Sequence, residues 1–143
     1  MKRSPAPQRR TRVRRTAIRK VPDKELDRLC REIVFRRDRY ACIWCGDMNA
    51  YAIEGGERTI YHGIQWAHVF SRNKKSMRWD PDNSMTLCGG CHLKWHHAPT
   101  AASAWFSAAF PERDARLKLM AATPQKIDRA LILVALKQQL GER

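Results

Sequence analysis

The sequence predicts an α+β fold: a small core of two short strands and a helix, stapled by paired cysteines, with flanking helices and a basic N-terminal arm. Three observations predict it. Two C-x-x-C pairs, Cys42/Cys45 and Cys88/Cys91, bracket the middle of the chain. Between them lie two short β-prone runs, and a helix-prone run surrounds the second pair. On both sides, apolar residues recur at helical spacing. A chain of 143 residues suffices for one domain with tails. We divide it into an arm (1–22), a central domain (23–99) and a C-terminal helical extension (100–143).

The arm holds nine basic residues (Lys2, Arg3, Arg9, Arg10, Arg12, Arg14, Arg15, Arg19, Lys20) and no acid. The whole chain carries 28 Lys and Arg against 14 Asp and Glu, so the remainder has 19 against 14. A basic arm without acidic counterweight seeks a polyanion, and nucleic acid is the commonest one in a cytosol. Pro5, Pro7 and Pro22 without apolar periodicity predict a segment disordered when free. No run of eighteen apolar residues is present to span a membrane, and no apolar stretch follows the basic terminus as in a secretory signal. The expected location is the cytosol.

The first helix begins at Asp23, which can cap, with Glu25 and Asp27 near the positive end of the dipole. Leu26, Leu29, Cys30, Ile33 and Val34 form its apolar face, so Cys30 is expected in the core and not among the ligands. The run from Tyr40 to Gly46 forms a knuckle whose Gly46 permits the turn behind the second thiol. Gly55-Gly56 predicts a turn inside a hairpin or a surface excursion. Residues 65–70 (QWAHVF) read as a strand, 71–82 as a polar, basic loop, and Asn83 to Leu87 as the return strand. A helix around Cys91 to His97 stops near Pro99. Farther on, Ala102, Trp105, Phe106, Ala109 and Phe110 repeat at helical spacing until Pro111. Thr123-Pro124 predicts the start of a last helix carrying Ile127, Leu131, Val134, Ala135 and Leu140 and ending by Gly141. These helices read as core-forming or partner-docking elements without chemistry of their own.

Reduced cysteines in C-x-x-C pairs are metal ligands more often than disulfides. Zinc takes four tetrahedral ligands, and Cys42, Cys45, Cys88 and Cys91 supply four thiolates from two segments. The ion would close the 42 residues from Gly46 to Leu87 into one loop, contributing about 10–16 kcal/mol of binding free energy to folding. Inside or beside this loop stand His68, Asn83 and His92. His96 lies four residues beyond His92, so both project from one helical face and can share a divalent ion. Arg72, Lys74, Lys75 and Arg78 occupy the loop between the strands, where they could grip phosphates or face water.

The run Ala67-His68-Val69-Phe70-Ser71-Arg72, then Arg78-Trp79-Asp80-Pro81-Asp82-Asn83, then Leu87-Cys88-Gly89-Gly90-Cys91-His92 with His96 and Pro99, resembles the HNH (ββα-metal) endonuclease family. More narrowly it is similar to phage-type, NinG-like members. The resemblance covers roughly Tyr40 to Pro99. It implies two strands and a helix around a catalytic divalent ion such as Mg²⁺ or Mn²⁺, and a DNA substrate. By the same resemblance His68 is the general base, and Asn83 either orients that histidine or touches the metal. His92 is a metal ligand and His96 a second candidate. A homodimer or a recombination protein partner would fit that setting.

The physical logic agrees. A neutral imidazole suits proton abstraction near neutral pH, and a bound cation offsets charge accumulating on phosphate oxygens. One position departs from the pattern. Many HNH sites carry Asp or His immediately before the base, whereas Ala67 stands there, so either His96 or water fills that place or the metal is bound weakly. The alternative reading is an inactive, zinc-stabilised nucleic-acid-binding protein.

Overall fold

Helix α1 (Asp23–Arg37) buries Leu26, Leu29, Cys30, Ile33 and Val34, the face its periodicity predicts, together with Phe35. The computed structural model describes residues 20–55 and 58–142. Most of the basic arm therefore lies outside the described residues. Its last part does not hang free: Val21 packs against the α1 core, and its carbonyl accepts from Arg129 Nη1 at 2.9 Å. Pro22, not Asp23, occupies the cap position. The Asp23 carboxylate is instead paired with Lys75, Arg78 and Arg129.

After α1 the chain reverses through Arg39 and Tyr40, both at φ 55°. The antiparallel hairpin of β1 (Tyr51–Gly55) and β2 (Arg58–His62) follows, as Gly55-Gly56 predicts, although its tip falls outside the described residues. Tyr61 ties this hairpin to α1, donating its hydroxyl to Glu32 and setting its ring edge-on to Phe35. Gly63, at φ 80°, turns the chain between β2 and the next strand; a Cβ there would stand 2.9 Å from the Asn49 carbonyl oxygen, so only glycine fits.

The central sheet pairs β3 (Gln65–His68) with β4 (Ser84–Leu87), Gln65 opposite Leu87 and His68 opposite Ser84. Every residue of β4 is buried, which means both faces of the sheet are covered. Side chains alternate, so opposed residues share a face. Trp66, His68, Ser84 and Thr86 point toward α1, while Gln65, Ala67, Met85 and Leu87 point to the other side. Two apolar clusters result. One joins Leu26, Leu29, Cys30, Ile33 and Val34 to Trp79 and Leu136, and Trp66 packs on it. The other joins Ala67, Met85 and Leu87 to Cys42, Met77, Phe106 and Leu117. Cys30 is thus core, its thiol pushed up to about 12 by burial.

The expected return strand begins one residue late, because Asn83 closes a short 3-10 turn (Pro81–Asn83) capped by the Asp80 side chain. Beyond β4 come α2 (Gly89–His97), α3 (Pro99–Ala109), α4 (Pro111–Ala122) and α5 (Arg129–Leu140). The helices of 100–143 are not an appendage. Phe106 of α3 and Leu117 of α4 complete one cluster, and Leu136 of α5 completes the other.

The last helix does not start where Thr123-Pro124 predicts. Thr123 closes α4, its hydroxyl donating to the Leu119 carbonyl at 2.8 Å. Asp128 caps α5 instead, accepting from the backbone N–H groups of Ala130 and Leu131. Leu131 and Val134 are 68% and 51% exposed, whereas Leu136 is buried with Ile132, Leu133 and Leu140 around it. A helix apolar on every side has no face that periodicity can choose, and contact with α1 chooses it. Among the described residues no helix is long and apolar enough to cross a membrane.

Because Leu136 fills the seam between α5 and α1, Leu136→Ala is expected to lower stability by about 2–5 kcal/mol, measured by urea denaturation.

Candidate functional site

The four paired cysteines converge. Cys42, Cys45, Cys88 and Cys91 present sulfur atoms all within 4.8 Å of one another. Each pair reaches that point by local geometry. In the first, Gly46 at φ 77° lets its N–H donate to the Cys42 carbonyl at 2.8 Å. In the second, Cys88 is the cap of α2, its sulfur accepting from the Cys91 N–H at 3.4 Å. The Ile43 N–H donates to the Thr86 carbonyl at 3.0 Å, so β4 itself sets the two knuckles side by side.

The donor set fits zinc. Tetrahedral Zn–S bonds of about 2.3 Å imply sulfurs about 3.8 Å apart, and Cys45 Sγ stands 3.7 Å from Cys88 Sγ. Burial pushes the Cys42 thiol up, but N–H groups of Cys45, Cys88 and Trp44 outweigh it and bring the value down to about 7. The thiols of Cys45 and Cys91 beside it are pushed up, and a divalent ion would supply the charge that lets all four ionise. Trp44 in turn stacks on Trp105 of α3 at 4.6 Å, coupling the knuckle to the C-terminal helices.

His68 ends β3 on the α1 face. Its ring lies 4.3 Å from Trp66, and its Nε2 is 3.3 Å from the Arg78 carbonyl oxygen. Burial, reinforced by the Arg72 charge, brings its pKa down to about 4. The imidazole is therefore neutral near pH 7. A carbonyl only accepts, so the ring proton belongs on Nε2 and the lone pair on Nδ1.

Asn83 is fully buried, and its amide is spent inside the fold. Its Oδ1 accepts from the Phe70 N–H at 2.8 Å, and its Nδ2 donates to the carbonyls of Phe70 and Met77 at 3.0 and 3.2 Å. It thus shapes the loop after His68.

His92 and His96 do form a pair on α2, their Nε2 atoms 3.1 Å apart. Two nitrogens bound to one ion at about 2.1 Å and near a right angle would sit about 3.0 Å apart. The other ring nitrogen of His92, Nδ1, meets Gln65 Oε1 at 2.5 Å, a bond that leaves Nε2 free to ligate. Burial and the His96 charge hold the His92 pKa below the usual imidazole value. Gln65 and His68 leave β3 on opposite faces, so the pair flanks the strand from the side away from His68. Among the described residues, the cysteines are the group of three or more converging metal-ligating side chains. Ala67 is fully buried in the core and offers nothing.

Of the four loop cations, three are engaged. Arg78 and Arg72 hold Asp27, and Lys75 holds Asp23. Lys74 is exposed. Sequence reasoning assigned Asp27 to the helix dipole and overlooked Gln65. The proximity of Gln65 to His92 follows from α2 running along β3, which no local pattern announces.

Known protein families, curated proteins and solved structures yield no match to this chain.

Two outcomes are expected. The purified protein should hold one zinc per chain, and Cys88→Ser should lose it with a change in tryptophan emission as Trp44 and Trp105 separate; metal analysis and fluorescence check this. The lowered pKa of His68 contributes stability that is complete above about pH 6.5. That contribution is lost as pH falls toward 4, since the unfolded chain takes up the proton first. His68→Gln should flatten this limb in urea titrations between pH 6.5 and 4.

Proposed function

We propose that the chain is a metal-dependent HNH-type endonuclease that hydrolyses DNA phosphodiester bonds, with His68 activating water. The observation that carries this reading is the state of His68: a neutral imidazole with Nε2 against a carbonyl and its lone pair on Nδ1. Such a group takes a proton from water at Nδ1. An approaching phosphate stabilises the imidazolium that forms, raising the basicity that burial depresses.

His92 and His96 would hold the catalytic divalent ion, with Gln65 orienting His92. The ion supplies positive charge to a phosphate oxygen. In the described residues β3 pairs only with β4, so no strand lies along its other edge, where a phosphodiester would lie between the two faces. Asn83 acts in this scheme by shaping the loop behind His68, since its amide is fully buried and bonded to the backbone of Phe70 and Met77. The nine cations of the basic arm supply affinity for the DNA backbone. Lys74 and the half-exposed Arg72 and Lys75 add to it, the last two by exchanging carboxylate for phosphate.

A second reading, a zinc-stabilised nucleic-acid-binding protein without hydrolysis, is favoured by one observation. The buried Ala67 stands where many HNH sites place a ligand, leaving the histidine pair without a third side chain.

A plasmid assay separates the two. With Mg²⁺ or Mn²⁺ the wild type is expected to nick or cut supercoiled DNA, and His68→Ala to slow this by about 10²–10⁴-fold while retaining zinc. Salt-sensitive binding with no cleavage under any divalent ion establishes the second reading.

A further inference from the structure

The carbonyl that faces His68 belongs to a loop without regular structure, so something else must hold it still. Arg78 lies in that loop, and its guanidinium is clamped. Nε and Nη2 donate to the two oxygens of Asp27 at 3.0 and 2.7 Å, and Nη1 donates to Asp23 at 3.1 Å. The next residue, Trp79, donates its indole N–H to the same Asp27 oxygen at 2.8 Å and buries its ring in the α1 core. Arg72 adds a fourth bond to Asp27 at 3.0 Å. One carboxylate on α1 therefore grips the side chains of both residues flanking the 78–79 peptide. The side chains of Asp27 and Arg78 are only 19% and 13% exposed, and charge-assisted bonds shielded from water hold geometry firmly.

We propose that Asp27 is a positioning residue for His68: by fixing the Arg78 carbonyl against Nε2, it selects the imidazole tautomer whose lone pair lies on Nδ1. Asp27 touches neither substrate nor metal in this arrangement; it acts through Arg78. The chain thereby builds a carboxylate–histidine relay in which the middle link is a peptide carbonyl, and in which the carboxylate comes from a helix outside the paired-cysteine unit. Its catalytic consequence rests on the reading of His68 as general base, while the choice of tautomer does not.

Histidine-selective ¹⁵N labelling of the full zinc-loaded chain tests this, with long-range ¹H–¹⁵N correlations and His68→Ala to assign the signals. The wild type is expected to show His68 protonated at Nε2 alone. Asp27→Asn keeps the size of the side chain and removes its charge. It should give a mixture of tautomers and slow DNA cleavage about 10–100-fold with zinc content retained. Arg78→Lys, which keeps the charge and loses the two-pronged grip, should also mix the tautomers. A wild-type His68 protonated at Nδ1 overturns the proposal without any variant. So does an Asp27→Asn protein that keeps the pure Nε2–H tautomer. If no variant or wild type cleaves DNA, the function reading falls, and the tautomers still decide what Asp27 does.

Discussion

The structure depends most on the buried Asn83 and the turn that carries it. One side-chain amide satisfies both backbone groups of Phe70 and the carbonyl of Met77, and the Asn83 carbonyl accepts from Val69. Losing a partner for groups this deep costs more than any single surface contact returns. From the outside, Arg37 donates to the carbonyls of Pro81 and Ser84, and Arg113 to those of Asp82 and Ser84. Arg116 bridges Asp80 and Asp82. The segment 80–84 is thereby held from α1, from α4 and from within. β4 departs from it in a fixed direction, and everything downstream inherits that direction.

What β4 carries are the two chemical candidates. Its N-terminal end lies opposite His68, and its C-terminal end delivers Cys88 to the thiol cluster. The cluster and the loop behind His68 are thus two ends of one short strand. Zinc at the cluster would hold the β4 terminus and the α2 start together, and α2 brings His92 beside Gln65. The same strand separates the clusters: Ser84 and Thr86 face α1 while Met85 and Leu87 face α3 and α4. A four-residue strand organises both because it is covered on both sides.

The parts of this arrangement that sequence made legible are those governed by local period or spacing. The α1 face from Leu26 to Val34, the two C-x-x-C knuckles and the four-residue separation of His92 and His96 are of that kind. The parts that escaped depend on partners distant along the chain. Asp27 meets Arg72, Arg78 and Trp79 from 45 to 52 residues away, so as a sequence feature it looks like any acid in a first helical turn. Arg37 and Arg113 spend their forks on carbonyls of the 81–84 segment, which no local pattern announces, and burial with the Arg37 charge brings Arg113 down to about 10. The strand expected to run to Phe70 stops at His68, since the Phe70 backbone is already taken by Asn83. The face of α5 was illegible for the opposite reason, an excess of apolar residues.

The pairing of α1 with α5 also has a consequence in time. At about 5–20 residues per second of synthesis, α1 leaves the ribosome roughly 5–20 s before the residues of α5 follow. During that interval Leu26, Leu29, Ile33 and Val34 have lost the company of Leu136, Ile132 and Leu140 that covers them in the finished fold. The nascent chain therefore carries an uncovered apolar helix beside its most cationic segment.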